Sequence, residues 1–117
     1  MRKSGPLVDQ SIEFSVQVVN YYKWLTIQKS EFVMSKQILK SGTSIGANIH
    51  EANYAVSKAD FVVKMQIALK EASETEYWLI VLEKTDFLPK EFYQLKERCN
   101  SIKRMLISTL NTTKNEI

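Results

Sequence analysis

Apolar residues recur every three or four positions along most of the chain, which is the period of an amphipathic α-helix. The pattern predicts four helices, at about residues 6–30, 31–56, 58–85 and 89–112. No segment shows the strict alternation that predicts a β-strand. The four long elements with short connections predict a single all-α domain, an antiparallel up-down-up-down four-helix bundle.

The first predicted helix carries two neighbouring apolar rows, whereas each of the other helices carries one. Its rows are Val8, Ile12, Ser15, Val19 and Tyr22, and Leu7, Ser11, Phe14, Val18, Tyr21 and Leu25. The other seams are Ile38, Gly42, Ile45, Ile49, Ala52 and Val56; Phe61, Met65, Ala68, Ala72, Thr75, Leu79 and Leu82; and Phe92, Leu95, Cys99, Ile102, Leu106 and Leu110. A double row is wider than one core seam requires, which favours self-association.

Helix starts are indicated by local chemistry. Pro6 and Pro89 suit the first turn of a helix, where a missing N–H costs nothing. Ser30 is the expected N-cap of the second helix. Ser57, with Asp60 three residues later, resembles a capping box at the start of the third.

The segment from Ser41 to Ala52 holds two of the three glycines, Gly42 and Gly46, inside a predicted helix. Glycine in a helix interior costs about 1 kcal/mol relative to alanine. This cost favours close approach of another helix, from the same bundle or from another subunit, with Gly42 expected at a crossing inside one bundle.

Ser44, Asn48 and Glu51 form a polar row beside the seam of the same helix. The row is interpreted as structural polar groups at a helix or subunit contact; a polar binding site and a solvated surface are the alternatives. If Glu51 is buried it needs a cationic partner, for which Lys70 and Arg98 are the candidates.

The stretch Ser44-Ile45-Gly46-Ala47-Asn48-Ile49-His50-Glu51-Ala52 resembles the S-I-x-x-N-I-x-E-A signature of the bacterial proteins encoded by intervening sequences of 23S ribosomal RNA genes. The resemblance extends over about residues 10 to 110. It implies a four-helix bundle that assembles as a homopentamer. A relative, the accessory protein of diversity-generating retroelements, implies RNA or a nucleic-acid-processing protein as a partner.

The net charge is +3, and the excess of cations lies in the last predicted helix. Lys96, Lys103 and Arg104 are the candidate nucleic-acid contacts, although at 100° per residue they do not form one stripe. Five copies at +3 each would carry about +15, enough for salt-sensitive contact with phosphates.

The chain offers little for catalysis or metal binding. Its one histidine, His50, lacks the Glu-x-x-His spacing of di-iron bundles, and Cys99 is expected to be a small core residue. We therefore expect no enzymatic activity, cofactor, metal or small-molecule substrate. The lone cysteine and the lack of a long apolar run indicate a cytoplasmic protein without membrane spans.

Aromatic residues are more numerous than one seam can use. They are Tyr21, Tyr22, Trp24, Tyr54, Tyr77 and Trp78. Because amphipathic aromatics are enriched at protein interfaces, this surplus favours self-association. With the resemblance and the basic last helix, it leads us to expect a homo-oligomeric scaffold that contacts RNA or a nucleic-acid enzyme through a repeated basic surface. The alternative is a protein-interaction module without nucleic-acid binding.

Overall fold

The computed structural model describes residues 5–115 and consists of four α-helices with one short 3₁₀ helix. The elements are α1 (Pro6–Lys29), α2 (Met34–Ala52), α3 (Lys58–Lys84), the 3₁₀ helix (Lys90–Phe92) and α4 (Gln94–Asn115). None of the described residues forms a β-strand. The all-α prediction is confirmed.

The helices form an antiparallel bundle in which each helix packs against two neighbours. α1 contacts α2 and α4, and α3 contacts α2 and α4, so that α1 and α3 lie diagonally across the bundle. The molecule is a rod of 48 × 21 × 20 Å. Its long sides are therefore formed by the outward faces of the helices.

The core is built from the predicted seams, and in α1 it uses only one of the two apolar rows that the sequence offered. In α1, the row of Ser11, Phe14, Val18, Tyr21 and Leu25 is buried, and the other row is not. The remaining core residues include Ile38, Ile45, Ile49, Met65, Ala68, Ala72, Leu79, Leu82, Leu95, Cys99, Ile102, Leu106 and Leu110. Val56, the last residue assigned to the second seam, is 93% exposed because α2 ends at Ala52.

The start of α2 differs from the prediction because a different side chain caps it. Ser30 has φ 52° and ends α1 in the left-handed conformation that closes many helices. The Glu31 carboxylate accepts hydrogen bonds from the backbone N–H groups of Val33, Met34 and Ser35, at 3.2, 3.1 and 2.7 Å. One acidic side chain thus satisfies three donors that a helix start leaves unpaired, and α2 begins at Met34.

The other helix ends follow local chemistry more closely. The Ser57 hydroxyl accepts a hydrogen bond from the Asp60 N–H at 3.0 Å, as predicted for the start of α3. Pro89 precedes the 3₁₀ helix, and α4 begins only at Gln94. The buried Tyr21 hydroxyl donates to the Phe87 carbonyl at 2.6 Å and so ties the α3–α4 connection to α1. No helix within residues 5–115 combines the length and apolar character needed to cross a bilayer.

Candidate interaction sites

The two glycines of α2 lie where α2 crosses α1 of the same chain. A Cβ added to Gly42 would lie 2.9 Å from both methyl groups of Val18, and Gly42 is buried. A Cβ added to Gly46 would lie 3.1 Å from the Ser15 Oγ and 3.2 Å from the Ser11 carbonyl oxygen. The absence of both side chains lets the two helices approach closely, which accounts for glycine in a helix interior.

The polar row of α2 is satisfied mainly by its own helix. The Ser44 hydroxyl donates to the Lys40 carbonyl at 2.6 Å, and the Asn48 amide donates to the Ser44 carbonyl at 2.8 Å. Both side chains are half-buried. These bonds to the preceding turn leave the side-chain oxygen of Asn48 and the lone pairs of the Ser44 hydroxyl available to accept hydrogen bonds from a neighbour.

Glu51 is exposed and pairs with a residue that the sequence analysis did not name. Its carboxylate lies 2.9 Å from the Lys64 ammonium, across the α2–α3 contact. The hydrogen bond to Glu51 and its charge raise the pKa of Lys64 above its usual value. Lys70 and Arg98 were the candidates for the case of a buried Glu51, and that case does not arise because Glu51 is exposed; Arg98 pairs instead with Glu13 at 2.8 Å. The Glu51–Lys64 pair is solvated, so it contributes little to stability.

A buried polar contact joins α2 and α3 at their centres. The hydroxyl groups of Ser41 and Thr75 lie 2.9 Å apart and share a hydrogen bond, and Thr75 also lies 2.8 Å from the Glu71 carbonyl. Both residues are fully buried. Sequence reasoning placed Thr75 in a seam but did not pair it; the available signal was a hydroxyl residue at a core position on each of two neighbouring helices.

Cys99 and His50 do not come together. Cys99 is buried, its thiol donates to the Ala72 carbonyl at 3.3 Å, and burial raises its pKa to about 12. Because the thiolate is the reactive form, this environment makes the thiol unreactive. His50 is exposed and contacts the Tyr54 ring at a centroid distance of 5.3 Å. Within the described part of the chain, no three His, Cys, Asp or Glu residues cluster closely enough to hold a metal ion.

An open polar crevice of about 340 Å³ lies between α1 and α4. It is lined by Gln10, Gln94, Glu97, Arg98 and Ser101. Arg98 is already engaged by Glu13 and by a long contact to Gln94 at 3.5 Å. The lining therefore consists of two amides, one hydroxyl and the charged side chains of Glu97 and Arg98.

The candidate nucleic-acid contacts on α4 differ in their surroundings. Lys96 pairs with Glu83 at 2.6 Å and Lys103 pairs with Glu76 at 2.9 Å, both across the α3–α4 contact. Arg104 is exposed and forms no ion pair with any described residue. The three cations thus lie on a surface of mixed charge, and the two lysines are partly neutralised by carboxylates.

The aromatic residues divide between core and surface. Tyr21 is buried and packs with Trp24 and Phe92, at ring centroid distances of 6.2 and 5.0 Å. Tyr77 is 57% exposed and meets the half-buried Trp78 ring edge-on at 5.1 Å. Core packing therefore accounts for only some of these rings.

Large apolar side chains are exposed on the outward faces of α1 and α3. We call the first surface the α1 face, formed by Asp9, Ile12, Val16 and Lys23. The second is the α3 face, formed by Lys70, Tyr77, Ile80 and Lys84. On the α1 face, Ile12 is 55% and Val16 54% exposed. Exposed apolar side chains that lie close together are candidates for an interaction site.

The comparisons with known proteins place the chain in a family. The model of the 23S rRNA-intervening sequence protein family matches residues 6–108. The chain belongs to this family. A crystal structure from Bacteroides thetaiotaomicron, described as a protein of unknown function from the S23 ribosomal protein family, is 53% identical in sequence with a TM-score of 0.87. The match covers 90% of this chain and 98% of that one. No curated protein shows significant sequence similarity to the chain.

Membership in the 23S rRNA-intervening sequence protein family agrees with the resemblance identified from Ser44 to Ala52. In the structure, this segment supplies the close α1–α2 crossing through its glycine and the intrahelical bonds of its polar residues. The family description names the genomic origin of such proteins and not an activity. The functional roles of Gly42, Ser44, Gly46, Asn48 and Glu51 beyond packing stay predictions.

Proposed function

We propose that this protein is a non-enzymatic, homo-oligomeric scaffold, assembled as a homopentamer. The observation that carries the proposal is the exposure of Ile12 and Val16 on the α1 face, more than half of each side chain lying outside the core. A monomer would leave this β-branched surface in water, whereas a second copy can cover it. The number five is the part that rests on the family resemblance.

The proposed role of the assembly is to present a repeated basic surface to RNA or to a nucleic-acid enzyme in the bacterial cytoplasm. Each chain has a net charge of +3, and Arg104 is an exposed cation without a carboxylate partner in the described structure. Fivefold repetition concentrates this charge on one particle and strengthens its attraction for phosphates. Lys96 and Lys103 would join Arg104 by exchanging their carboxylate partners for phosphate oxygens.

Sedimentation of the purified protein tests the assembly, and RNA titration tests the surface. We expect a pentamer at about 50 µM protein. RNA affinity should fall steeply with salt, by about a thousandfold between about 50 and about 200 mM if six phosphates are neutralised. Changing Lys96, Lys103 and Arg104 together to alanine should abolish binding.

A matched control separates a located site from general attraction. Lys36, Lys40 and Lys58 are exposed on other parts of the bundle, and changing them to alanine removes the same charge. This control should retain most of the RNA affinity. Equal losses in the two triple variants would refute a binding surface on α4, and a monomeric protein would refute the scaffold.

A protein-interaction module without nucleic-acid binding is the second candidate. The ion pairs of Lys96 with Glu83 and of Lys103 with Glu76 favour it, because phosphates would have to compete with carboxylates already in place. Oligomerisation together with undetectable RNA binding at low ionic strength would select this candidate.

A further inference from the structure

We infer that a small crevice between α1 and the start of α4 binds a guanidinium group, presented as an arginine side chain by a partner peptide. The crevice has a volume of about 90 Å³ and lies where the 3₁₀ helix leads into α4. It is lined by Gln17, Asn20, Glu91, Phe92, Gln94 and Leu95. This space is larger than a single water molecule requires, and it suits one small planar group.

An unsatisfied acceptor in this lining indicates what the ligand supplies. The side-chain oxygen of Gln17 is buried and accepts no hydrogen bond from any residue between 5 and 115. A buried acceptor without a donor is unfavourable, and a donor that enters the crevice relieves this cost. The terminal torsion of a glutamine side chain is soft, so the oxygen can turn toward such a donor.

The carboxylate of Glu91 indicates that this donor is a cation. Glu91 is exposed and forms no ion pair within the described chain. Lys23 and Lys90 are exposed on the same elements, but neither lysine lines the crevice. The half-buried ring of Phe92 adds an apolar surface on which a planar cation can pack. A guanidinium carries its several N–H donors in one plane, which suits a carboxylate and neighbouring amide oxygens better than an ammonium does.

The chain already holds one guanidinium with groups of the same kinds. The Arg98 guanidinium donates to the Glu13 carboxylate at 2.8 Å and makes a longer contact of 3.5 Å with the amide oxygen of Gln94. A guanidinium in the small crevice would also meet one carboxylate and amide oxygens, with Glu91 in the place of Glu13.

The 340 Å³ crevice gives room to the peptide that carries the arginine. The two crevices are adjacent, because Gln94 lines both. Gln10 and Ser101 in the larger lining can pair with the N–H and carbonyl groups of a peptide. Glu13 neutralises Arg98 there, whereas Glu97 forms no ion pair within residues 5–115. The two linings together therefore favour a positively charged ligand, unlike the α4 cations that are proposed to meet phosphates.

Ligand-observed saturation-transfer NMR tests the inference, because it detects weak binding to a monomer or to an oligomer. The probe is a capped pentapeptide with one arginine between glycines. Its matched control carries citrulline, which keeps the planar shape of the arginine side chain without its charge. We expect a dissociation constant on the order of 1 mM for the arginine peptide, and binding about tenfold weaker for the citrulline peptide. Methylguanidinium alone should also bind more weakly than the arginine peptide, because it leaves the larger crevice empty.

Two variants locate the site. Glu91→Gln should weaken binding of the arginine peptide by about tenfold, because it removes the charge of the acceptor. Gln17→Met should weaken binding by a similar factor, yet its midpoint of urea unfolding should be no lower than that of the unchanged protein, because an unpaired buried oxygen is removed. Glu74 is exposed on α3 and lines neither crevice, so Glu74→Gln is the control that removes the same charge and keeps the affinity. Circular dichroism checks that all variants are folded.

Each outcome bears on a separate part of the inference. No signal from the arginine peptide at about 10 mM would mean that the crevice holds water only and would overturn the site. Equal binding of the arginine and citrulline peptides, or an unchanged affinity in Glu91→Gln, would overturn the assignment to a cation. A Gln17→Met variant that is less stable and binds normally would show that the amide is structural. Methylguanidinium binding as tightly as the peptide would remove the larger crevice from the site. None of these results depends on pentamer formation or on RNA binding, so their failure leaves the proposed function intact.

Discussion

The close crossing of α1 and α2 predicts that substitutions at Gly42 and Val18 affect stability non-additively. Each single change should destabilise the protein, and the second change should offset part of the cost of the first. In Gly42→Ala, the new Cβ would lie 2.9 Å from both Val18 methyl groups, and Val18 is fully buried. Valine has little rotamer freedom in a helix, so the contact must be relieved by moving the helices. Overpacking of this kind costs about 1–3 kcal/mol, against a gain of about 1 kcal/mol in helix propensity. We expect a net loss of about 1 kcal/mol.

The change Val18→Ala removes the same two methyl groups and leaves a cavity. Deletion of two buried methyl groups costs about 2 kcal/mol. In the double variant, the new Cβ at position 42 occupies part of the space left by Val18. The double variant should therefore be more stable than the sum of the single effects predicts, by about 1–2 kcal/mol.

Urea unfolding followed by circular dichroism measures these free energies, at one protein concentration because assembly adds to apparent stability. Ala47 lies on the exposed face of α2, and Ala47→Gly serves as the control for helix propensity alone. It should cost about 1 kcal/mol. Additive effects of Gly42→Ala and Val18→Ala on the free energy of unfolding would refute the close-contact explanation. It would also be refuted if Gly42→Ala stabilised the protein by as much as Ala47→Gly destabilises it.

Three further predictions concern single side chains. Tyr21→Phe leaves the carbonyl of Phe87 without its 2.6 Å donor and should cost about 1–3 kcal/mol in urea unfolding; an unchanged midpoint would contradict a buried bond. Ser30→Gly should raise the thermal midpoint, because glycine adopts a φ of 52° without strain. Glu31→Ala should lower the free energy of unfolding by about 1 kcal/mol, because it removes the cap of α2. Stability changes of the same sign in both variants would be inconsistent with these assignments. Burial raises the pKa of Cys99 from its usual 9.0 to about 12, so thiolate formation favours the unfolded state, and the contribution of the buried thiol to stability is lost as pH rises from about 9 toward 12. Cys99→Ala should therefore make the free energy of unfolding fall less steeply with pH in this range. An equal fall in both proteins would rule this contribution out.

The periodic pattern of the sequence predicted the helices well because burial of one face is the main requirement of a bundle. The seams of α3 and α4 are buried from Met65 to Leu82 and from Leu95 to Leu110, as their spacing predicts. The cap at Ser57 was also predictable, since its hydroxyl and the Asp60 N–H lie within one turn. Such interactions depend on residues close together in the chain.

Contacts between distant residues were not predictable in the same way. The partner of Glu51 depends on the axial alignment of α2 with α3, and that alignment places Lys64 opposite it. The same holds for Lys96 and Lys103, which the sequence presents as free cations and the fold pairs with Glu83 and Glu76. At the start of α2, the sequence predicted Ser30 as the cap, whereas in the structure Ser30 ends α1 in a left-handed conformation and the Glu31 carboxylate caps α2.

The sequence by itself determined that this protein is a bundle of four amphipathic helices, because the spacing of apolar residues fixes which side of each helix must leave water. It also carried the family signature between Ser44 and Ala52. Only the tertiary structure decided which of the two apolar rows of α1 is buried. The core accepts the row that contains Val18 beside Gly42, and close packing leaves the other row at its edge, so that Ile12 is exposed and Val8, Val19 and Tyr22 are half-buried.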